Sequence, residues 1–451
     1  MLASFSTIKQ VFDVDYELDG DAAETAACLP STAVLIMCPF VEQVQLMTER
    51  VIIVGASHAA AQLAPSLRQE GWTGDIWIIG DESATPYQRP PLSKDYLSCE
   101  RVRESLQIRP PAVYEKHGIK LLKGRVVSID RASRSVLLES GERYGYDKLA
   151  LCTGARVRQL QVPGANLPGV HYLRTLDDVD GIRGQLQSAT RVVIVGGGYI
   201  GLESAAALRK LGVSVTVLEV QPRLLARVTA PEVSAFYRRV HTEEGVVVLT
   251  GWAVAAIEGD GQVAGVVSTD GRRLPADLVI VGIGVNPNTE LASGCGLKVD
   301  NGIWVDGFAA TEDPRIFAAG DCANHPSRLL GRRLRLESVP NAMEQAKSAA
   351  ASICEKRLCY DGYPWFWSDQ YDLKLQIAGL NDGFDNLVLR GNPEQGRSFV
   401  AWYLRGNRLL AADCINRPKE FMVARQLLAS GIDIDPAHLA DENFDLKAPI
   451  S

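Results

Sequence analysis

Two stretches of the chain share one hydrophobic and polar pattern. Each has a short unbroken apolar run, a small-residue turn, an apolar stripe at helical spacing, and a second apolar run closed by an acidic residue. The first is RVIIVGASHAAAQLAPSLRQEGWTGDIWIIGDE, from Arg50 to Glu82, and the second is RVVIVGGGYIGLESAAALRKLGVSVTVLE, from Arg191 to Glu219. Unbroken Val and Ile runs mark strands buried on both faces, and the 3.6-residue stripe between them marks a crossover helix. Each stretch is therefore expected to form a strand–helix–strand unit. From Pro231 to Asp277 short apolar runs alternate with turns and read as the rest of the second unit, and VIVGIGVNPNTELA, around Ile283 to Pro287, reads as a return to the first. From about Tyr363 alternating runs such as FVAWYLRGNRLLAADCIN predict an antiparallel sheet with closing helices.

The turns carry the chemistry. In the second copy Gly196, Gly198 and Gly201 stand in the G-x-G-x-x-G register. There the first glycine makes a tight turn, the second lets backbone N–H groups approach a pyrophosphate, and the third lets helix and strand pack closely. Glu219 ends the next strand, where a carboxylate accepts hydrogen bonds from an adenosine ribose and disfavours a 2'-phosphate; Arg223 nearby pulls the other way. The first copy keeps Gly55 but has Ser57 and Ala60 at the other two positions, with Asp81 and Glu82 at its strand end. Two such turns point to two bound dinucleotides. Gly320 and Asp321 follow the strand in TEDPRIFAAGDCAN, where the carboxylate is either a helix N-cap or a ligand of sugar hydroxyls; taken alone the cap is preferred.

Length and charge narrow the classes. At 451 residues the chain exceeds one core and is expected to form about three domains. A net charge of −7, with no basic arm, gives no reason to expect nucleic acid, and no apolar run is long enough to span a bilayer. The nine cysteines show no zinc-type spacing, so no metal site is expected, and Cys354 and Cys359, the one close pair, lie in a helical-looking stretch. Mostly buried, reduced thiols and a cytoplasmic location are the expectation. Residues 1–46 differ in character, with an acidic run from Asp13 to Glu24, and are read as an extension ahead of a natural start at Met47.

The order of the first turn, ALCTGA at Ala150 to Ala155, the complete second turn and IFAAGDCA resembles the two-dinucleotide flavoprotein oxidoreductases with a glutathione-reductase-like fold. PYQRPPLSKDYL (Pro86 to Leu97), LRTLDD (Leu173 to Asp178) and WFWSDQYDLKLQIAGL (Trp365 to Leu380) narrow the resemblance to the ferredoxin reductases of bacterial oxygenase systems, over about residues 47 to 445.

The resemblance implies an α/β fold with two Rossmann-type domains and a C-terminal α+β domain. Residues 47–158 and 284–361 would bind FAD, 159–283 would bind NAD, and 362–451 would form the third domain. It implies FAD contacts at Gly55, Ser57, His58, Ala59, Asp81 or Glu82, Arg89, Lys94, Thr153, Gly154, Arg174, Asp321 and Val339, and a cofactor contact at Gly284. NADH contacts are implied at Gly196, Gly198, Tyr199, Ile200, Gly201 and Glu219. On this resemblance Asp321 binds the ribityl chain, reversing the cap preference. Catalytic roles fall to Lys94, a cation beside the flavin, and to Glu203, its pair near the nicotinamide carboxamide. The implied function is electron transfer from NADH through FAD to a two-iron, two-sulfur ferredoxin serving a monooxygenase or ring-hydroxylating dioxygenase, as monomer or homodimer.

Disulfide reductases of this fold need a cysteine pair just after the first turn, where this chain has Pro90, Pro91 and Lys94. A dithiol mechanism is therefore disfavoured. An NADH oxidase or other reductase of the same fold, and a redox-sensing interaction protein, are the competing readings. Arg315, Arg332, Arg333 and Arg335 form the densest basic group and are the expected docking surface for an acidic ferredoxin.

Overall fold

The computed structural model describes residues 48–327 and 329–447, and the reading of residues 1–46 lies outside them. The two patterned stretches fold into twin parallel sheets. In the first, the strand order is Ile316–Ala318, Lys148–Leu151, Arg50–Val54, Asp75–Gly80, Ile119–Lys123. In the second it is Val170–Tyr172, Leu278–Val281, Arg191–Val195, Ser214–Glu219, Val247–Thr250. Both central strands are almost wholly buried, as parallel pairing with helices on the faces requires.

The repetition extends further. Just before the strand that pairs with its central strand from the other side, Lys148–Leu151 or Leu278–Val281, each unit inserts a three-stranded antiparallel meander: Val126–Asp130, Ser135–Leu138 and Arg143–Gly145 in the first, Val254–Glu258, Gly265–Ser268 and Arg273–Pro275 in the second. The fifth strand comes from opposite directions. The first unit takes it from far downstream, at Ile316–Ala318, and the second from upstream, at Val170–Tyr172. An antiparallel ribbon, Ala155–Val157 against Val285–Pro287, carries the chain out of the first unit and back, at the expected return point.

The first turn's helix, His58–Glu70, packs on Val339–Ile353 through Ala59, Ala60, Leu63, Ala64 and Leu67 against Ala342, Ala346, Ala349 and Ile353. Small residues at both seams let the axes approach closely. The C-terminal part is a five-stranded antiparallel sheet in the order Trp365–Gln370, Leu373–Gly379, Arg408–Ile415, Phe399–Arg405, Asn386–Arg390, closed by helices Pro418–Ser430 and Pro436–Ala440. The fold is thus the expected α/β class with an α+β C-terminal domain.

Two expectations need correction. The segment beginning at Pro231 opens with a 13-residue helix, Pro231–Glu243, rather than short runs and turns. Val233, Phe236, Tyr237 and Val240 recur at i, i+3, i+4 and i+7 and are all buried there, a stripe that read as fragments in sequence. The helix Val339–Ile353 stops at Cys354, so Cys354 and Cys359 do not share a helix.

Candidate functional site

At the first turn, Gly55 has φ of +103°, and a Cβ there would lie 2.2 Å from the carbonyl oxygen of Cys152 on the neighbouring strand end. At the second, Gly196 has φ of +116°, and its Cβ would lie 2.3 Å from the carbonyl oxygen of Gly282. Both positions admit only glycine. Ser57 and Gly198 follow as extended N-cap residues, with φ of −129° and −84°. Neither makes a side-chain cap bond.

That absence is selective. Among the described helices of eight or more residues, Leu176–Leu186 and Val339–Ile353 are capped by the hydroxyls of Thr175 and Ser338, and Pro231–Glu243 and Pro418–Ser430 begin with proline. Only the helices after the two small-residue turns, His58–Glu70 and Tyr199–Lys210, have neither device. Their first N–H groups and positive dipole ends are left for an anion. Open space lies where a side chain would be at Gly198 and also at Gly284, two residues past the carbonyl that abuts Gly196.

Around the first turn the structure gathers charged groups from distant segments. The Arg89 guanidinium donates to Ser57 Oγ at 3.2 Å, to the Arg174 carbonyl at 2.7 Å and to the Glu82 carboxylate, which also accepts from the Tyr87 hydroxyl. Arg174 pairs with Asp321 at 3.2 Å and lies 3.6 Å from where a Gly154 Cβ would be. Thr153 donates its hydroxyl to the Asn288 carbonyl, and the Asn288 amide returns a bond to the Thr153 carbonyl. Ala59 packs against Gly320, where an added Cβ would meet it at 3.4 Å. Burial, reinforced by Arg89 and Arg174, pushes the His58 imidazole down to about 4, so it is neutral near pH 7. Of the two acids, Glu82 is tied to Arg89 while Asp81 is exposed.

This donor set fits a flavin dinucleotide: two guanidiniums and an uncapped helix start for a pyrophosphate, with Glu82 and Asp321 as acceptors for hydroxyls. No helix follows Asp321, because Ala323–Ser327 is a strand, so the N-cap reading is excluded. Gln345, from the helix Val339–Ile353, holds this bend by accepting from the Gly320 N–H at 2.8 Å. Val339 begins that helix and is half-buried.

At the second turn, Gly201 is buried so tightly that a Cβ would lie 2.1 Å from the Gly196 carbonyl oxygen. The Glu219 carboxylate accepts from Gly197 N–H at 2.7 Å and Gln221 N–H at 2.8 Å, which orders the loop. Arg223 points away from it, bonded to the Thr229 and Ala226 carbonyls and the Ser234 hydroxyl. The cation that could have welcomed a 2'-phosphate is thus committed elsewhere. Ile200 is 44 % exposed beside the turn, whereas the Tyr199 hydroxyl is buried without a hydrogen-bond partner and its ring packs on Phe366 at 5.0 Å.

Several ion pairs join the two units, and among the described residues the most buried of them is Lys94–Glu203. Lys94 Nζ lies 2.8 Å from Glu203 Oε2, with side chains 13 % and 2 % exposed. Glu203 Oε2 also accepts from the Ser93 hydroxyl at 2.5 Å, and Oε1 from the Ser368 hydroxyl at 2.6 Å. A carboxylate this deeply buried persists as an ion only when paired and hydrogen-bonded, and here both conditions hold. Lys94 also donates to the Pro90 carbonyl at 3.3 Å. Sequence reasoning named Lys94 and Glu203 but missed Ser93 and Ser368, although Ser93 adjoins Lys94 and Ser368 sits inside the WFWSDQYDLKLQIAGL motif.

Cysteine chemistry is absent from this place. Cys99 is exposed and single, while Cys152 and Cys322 are buried beneath the first turn with thiols pushed up by burial, the opposite of an activated thiolate. Among the described residues no His, Cys, Asp and Glu group could hold a metal. Of the expected basic patch, Arg315 is exposed, Arg332 pairs with Asp382, Arg335 pairs with Glu337, and Arg333 lies over the Trp304 ring at 3.5 Å while donating to the Val305 carbonyl.

Comparison with known proteins adds independent findings. Residues 49–346 match the family model described as pyridine nucleotide-disulphide oxidoreductase, and residues 365–450 match a reductase C-terminal model. The chain is 45 % identical over 410 residues to the putidaredoxin reductase CamA of Pseudomonas putida, covering 89 % of this chain and 97 % of that one. It is 42 % identical over 398 residues to the ferredoxin–NAD(+) reductase component of the anthranilate 1,2-dioxygenase system of Burkholderia cepacia, covering 88 % and 98 %. Among solved structures, it matches the reductase in the covalent putidaredoxin reductase–putidaredoxin complex at 45 % identity and a TM-score of 0.86, covering 89 % and 98 %.

Proposed function

This chain belongs to the pyridine nucleotide-disulphide oxidoreductase family, and from that premise we propose that its two uncapped turns serve a single electron path meeting at Lys94 and Glu203. The protein is an FAD-dependent NADH:ferredoxin oxidoreductase that supplies electrons to a ferredoxin of an oxygenase system. When bound, FAD supplies the chemistry that converts a two-electron hydride donor into a source of single electrons for an iron–sulfur acceptor.

The protein's own residues hold and orient. Residues 47–158 and 284–361 make the FAD domain, 159–283 the NAD domain and 362–451 the third domain, a division supported by sheet membership and the antiparallel ribbon between the first two. FAD is held by the first turn, with Gly55, Ser57, His58, Ala59, Glu82, Arg89, Thr153, Gly154, Arg174, Asp321 and Val339. NADH is held by Gly196, Gly198, Tyr199, Ile200, Gly201 and Glu219, with Gly284 at the seam. Lys94 would keep positive charge beside the place where negative charge develops on bound FAD, and Glu203, which fixes that ammonium, would help hold the nicotinamide amide of bound NADH. The observation that carries this reading is the buried Lys94–Glu203 pair, whose Lys94 lies in the stretch after the first turn where a disulfide reductase of this fold would need its cysteines. The cytoplasm, where NADH is supplied, is the proposed location. Among the described residues all seven cysteines are free, and no helix is long and apolar enough to cross a membrane.

The test is anaerobic addition of NADH to the holoprotein, followed by a panel of two-iron, two-sulfur ferredoxins read by absorbance. The expected result is prompt flavin bleaching and reduction of at least one ferredoxin far faster than of oxygen. Bleaching with fast oxygen consumption and no ferredoxin reduction would favour an NADH oxidase instead.

A further inference from the structure

Behind Glu203 runs a buried string of side chains that the electron path does not use. Ser368 donates to Glu203 Oε1 at 2.6 Å, and Gln370 Nε2 donates to the Ser368 hydroxyl at 3.1 Å. Gln370 Oε1 lies 2.8 Å from His241 Nε2, and the Tyr371 hydroxyl lies 3.2 Å from His241 Nδ1. Ser368, Gln370 and His241 are each at most 1 % exposed.

The direction of every bond follows from one end. An ionised carboxylate only accepts, so the Ser368 proton must point at Glu203. Its oxygen must then accept from the Gln370 amide, which turns the Gln370 carbonyl toward His241 and requires a proton on His241 Nε2. Burial pushes this imidazole down to about 4, so it is neutral, and its Nδ1 accepts from the Tyr371 hydroxyl. The result is a one-way chain from Tyr371 to Glu203, built from the helix Pro231–Glu243 and the first strand of the C-terminal sheet, Trp365–Gln370.

The chain acts on a defined degree of freedom. With Oε1 held by Ser368, Glu203 can offer only Oε2 to Ser93 and Lys94, so the carboxylate cannot rotate and the ammonium has one seat. We propose that Ser368, Gln370 and His241 are positioning residues for hydride transfer, a polarised hydrogen-bond chain through which the C-terminal domain sets where Lys94 and Glu203 stand. This rests on the electron-transfer reading above. It assigns the third domain a part in the NADH half of the reaction.

The experiment compares Ser368→Ala and His241→Leu with Ser368→Thr, which keeps the hydroxyl, and His241→Gln, which keeps a donor near the Nε2 position. In the anaerobic holoprotein, stopped-flow reduction by NADH gives the limiting rate and the apparent Kd, and the flavin midpoint potential is measured without NADH. Ser368→Ala and His241→Leu are expected to lower the limiting rate about tenfold with Kd changed less than about twofold. They should also shift the midpoint potential, because the Lys94 charge has moved, and the conservative variants should restore both readouts. Unchanged rate and potential with only a lower Tm would overturn the proposal, as would Ser368→Thr behaving like Ser368→Ala. Should the disruptive variants not fold, nitrogen-15 histidine spectra of the unaltered holoprotein decide: the neutral Nε2–H form of His241 is expected, and the other tautomer or an imidazolium at neutral pH refutes it. Failure of the unaltered protein to bleach with NADH would remove the electron-transfer reading and this proposal together; normal bleaching with unaffected variants would remove this proposal alone.

Discussion

The two dinucleotide turns are one device written twice, and only one copy spells out the expected glycines. At the first position they agree, because in both a carbonyl oxygen from the adjacent strand end occupies the space a Cβ would need. At the second they diverge without structural conflict: both Ser57 and Gly198 are extended, a region open to any residue, so serine is excluded there only by what a ligand requires. At the third they diverge through packing, since Gly201 presses on the Gly196 carbonyl while Ala60, wholly buried, fits beside its own strand. A three-glycine pattern thus merges a backbone constraint, a ligand constraint and a packing constraint, and only the first was kept in both copies.

The hardest test of that equivalence is Gly55→Ala beside Gly196→Ala. Each combines a positive φ with a clash against backbone, and each is expected to lower stability by about 3 kcal/mol or more by chemical denaturation. A mild effect at Gly55 alone would mean that the degraded turn is also the looser one.

Next in size is the most buried ion pair between the two units. Lys94→Met leaves a buried carboxylate without its cation and is expected to cost about 3 kcal/mol, with Glu203→Gln in the same chain recovering at least half. Additive losses in this double-mutant cycle would show that the units are not coupled at this point.

The residues that begin the two helices, His58 and Tyr199, give a comparison in pH. The folded-state pKa of His58 is depressed to about 4 from 6.5 by burial, so between those values the unfolded chain binds more protons than the folded one. Stability contributed there is complete above pH 6.5 and is lost as pH falls toward 4. His58→Tyr, which copies the second turn, should flatten that part of the stability profile measured from pH 7 to 4. An unchanged slope would place the acid sensitivity elsewhere.

The smallest expected effect is at the second position. Gly198→Ser should leave the fold within about 1 kcal/mol yet weaken NADH binding about tenfold by calorimetric titration, whereas Ser57→Gly should change stability by less than about 1 kcal/mol and leave FAD retained. Equal stability losses at both would contradict a constraint imposed by ligand.

Much of this was legible in the residues because the information is local. The Val and Ile runs, the glycine spacing and the terminal acids lie within some 30 consecutive positions, and strand, turn and crossover helix follow from them in each unit. The return at Ile283 to Pro287 and the C-terminal antiparallel sheet were equally visible, as a repeated apolar run and an alternating pattern. Partners distant in the chain were not legible: sequence spacing shows Arg332 and Arg333 as basic residues but does not disclose Asp382 and Trp304 as their partners.

What the sequence by itself determined, then, is two nucleotide-type units, a third antiparallel domain, and Lys94 and Glu203 as residues to suspect. Tertiary structure decided how deeply those two meet, with side chains 13 % and 2 % exposed, that Ser93 and Ser368 hold the carboxylate from 110 and 165 residues away, and that Arg223 turns from Glu219. The physical reason is the range of the interactions. Backbone sterics and hydrophobic periodicity act between near neighbours in the chain, but a buried charge is stabilised by whichever groups the fold brings within about 3 Å, and those are chosen only when separate units pack.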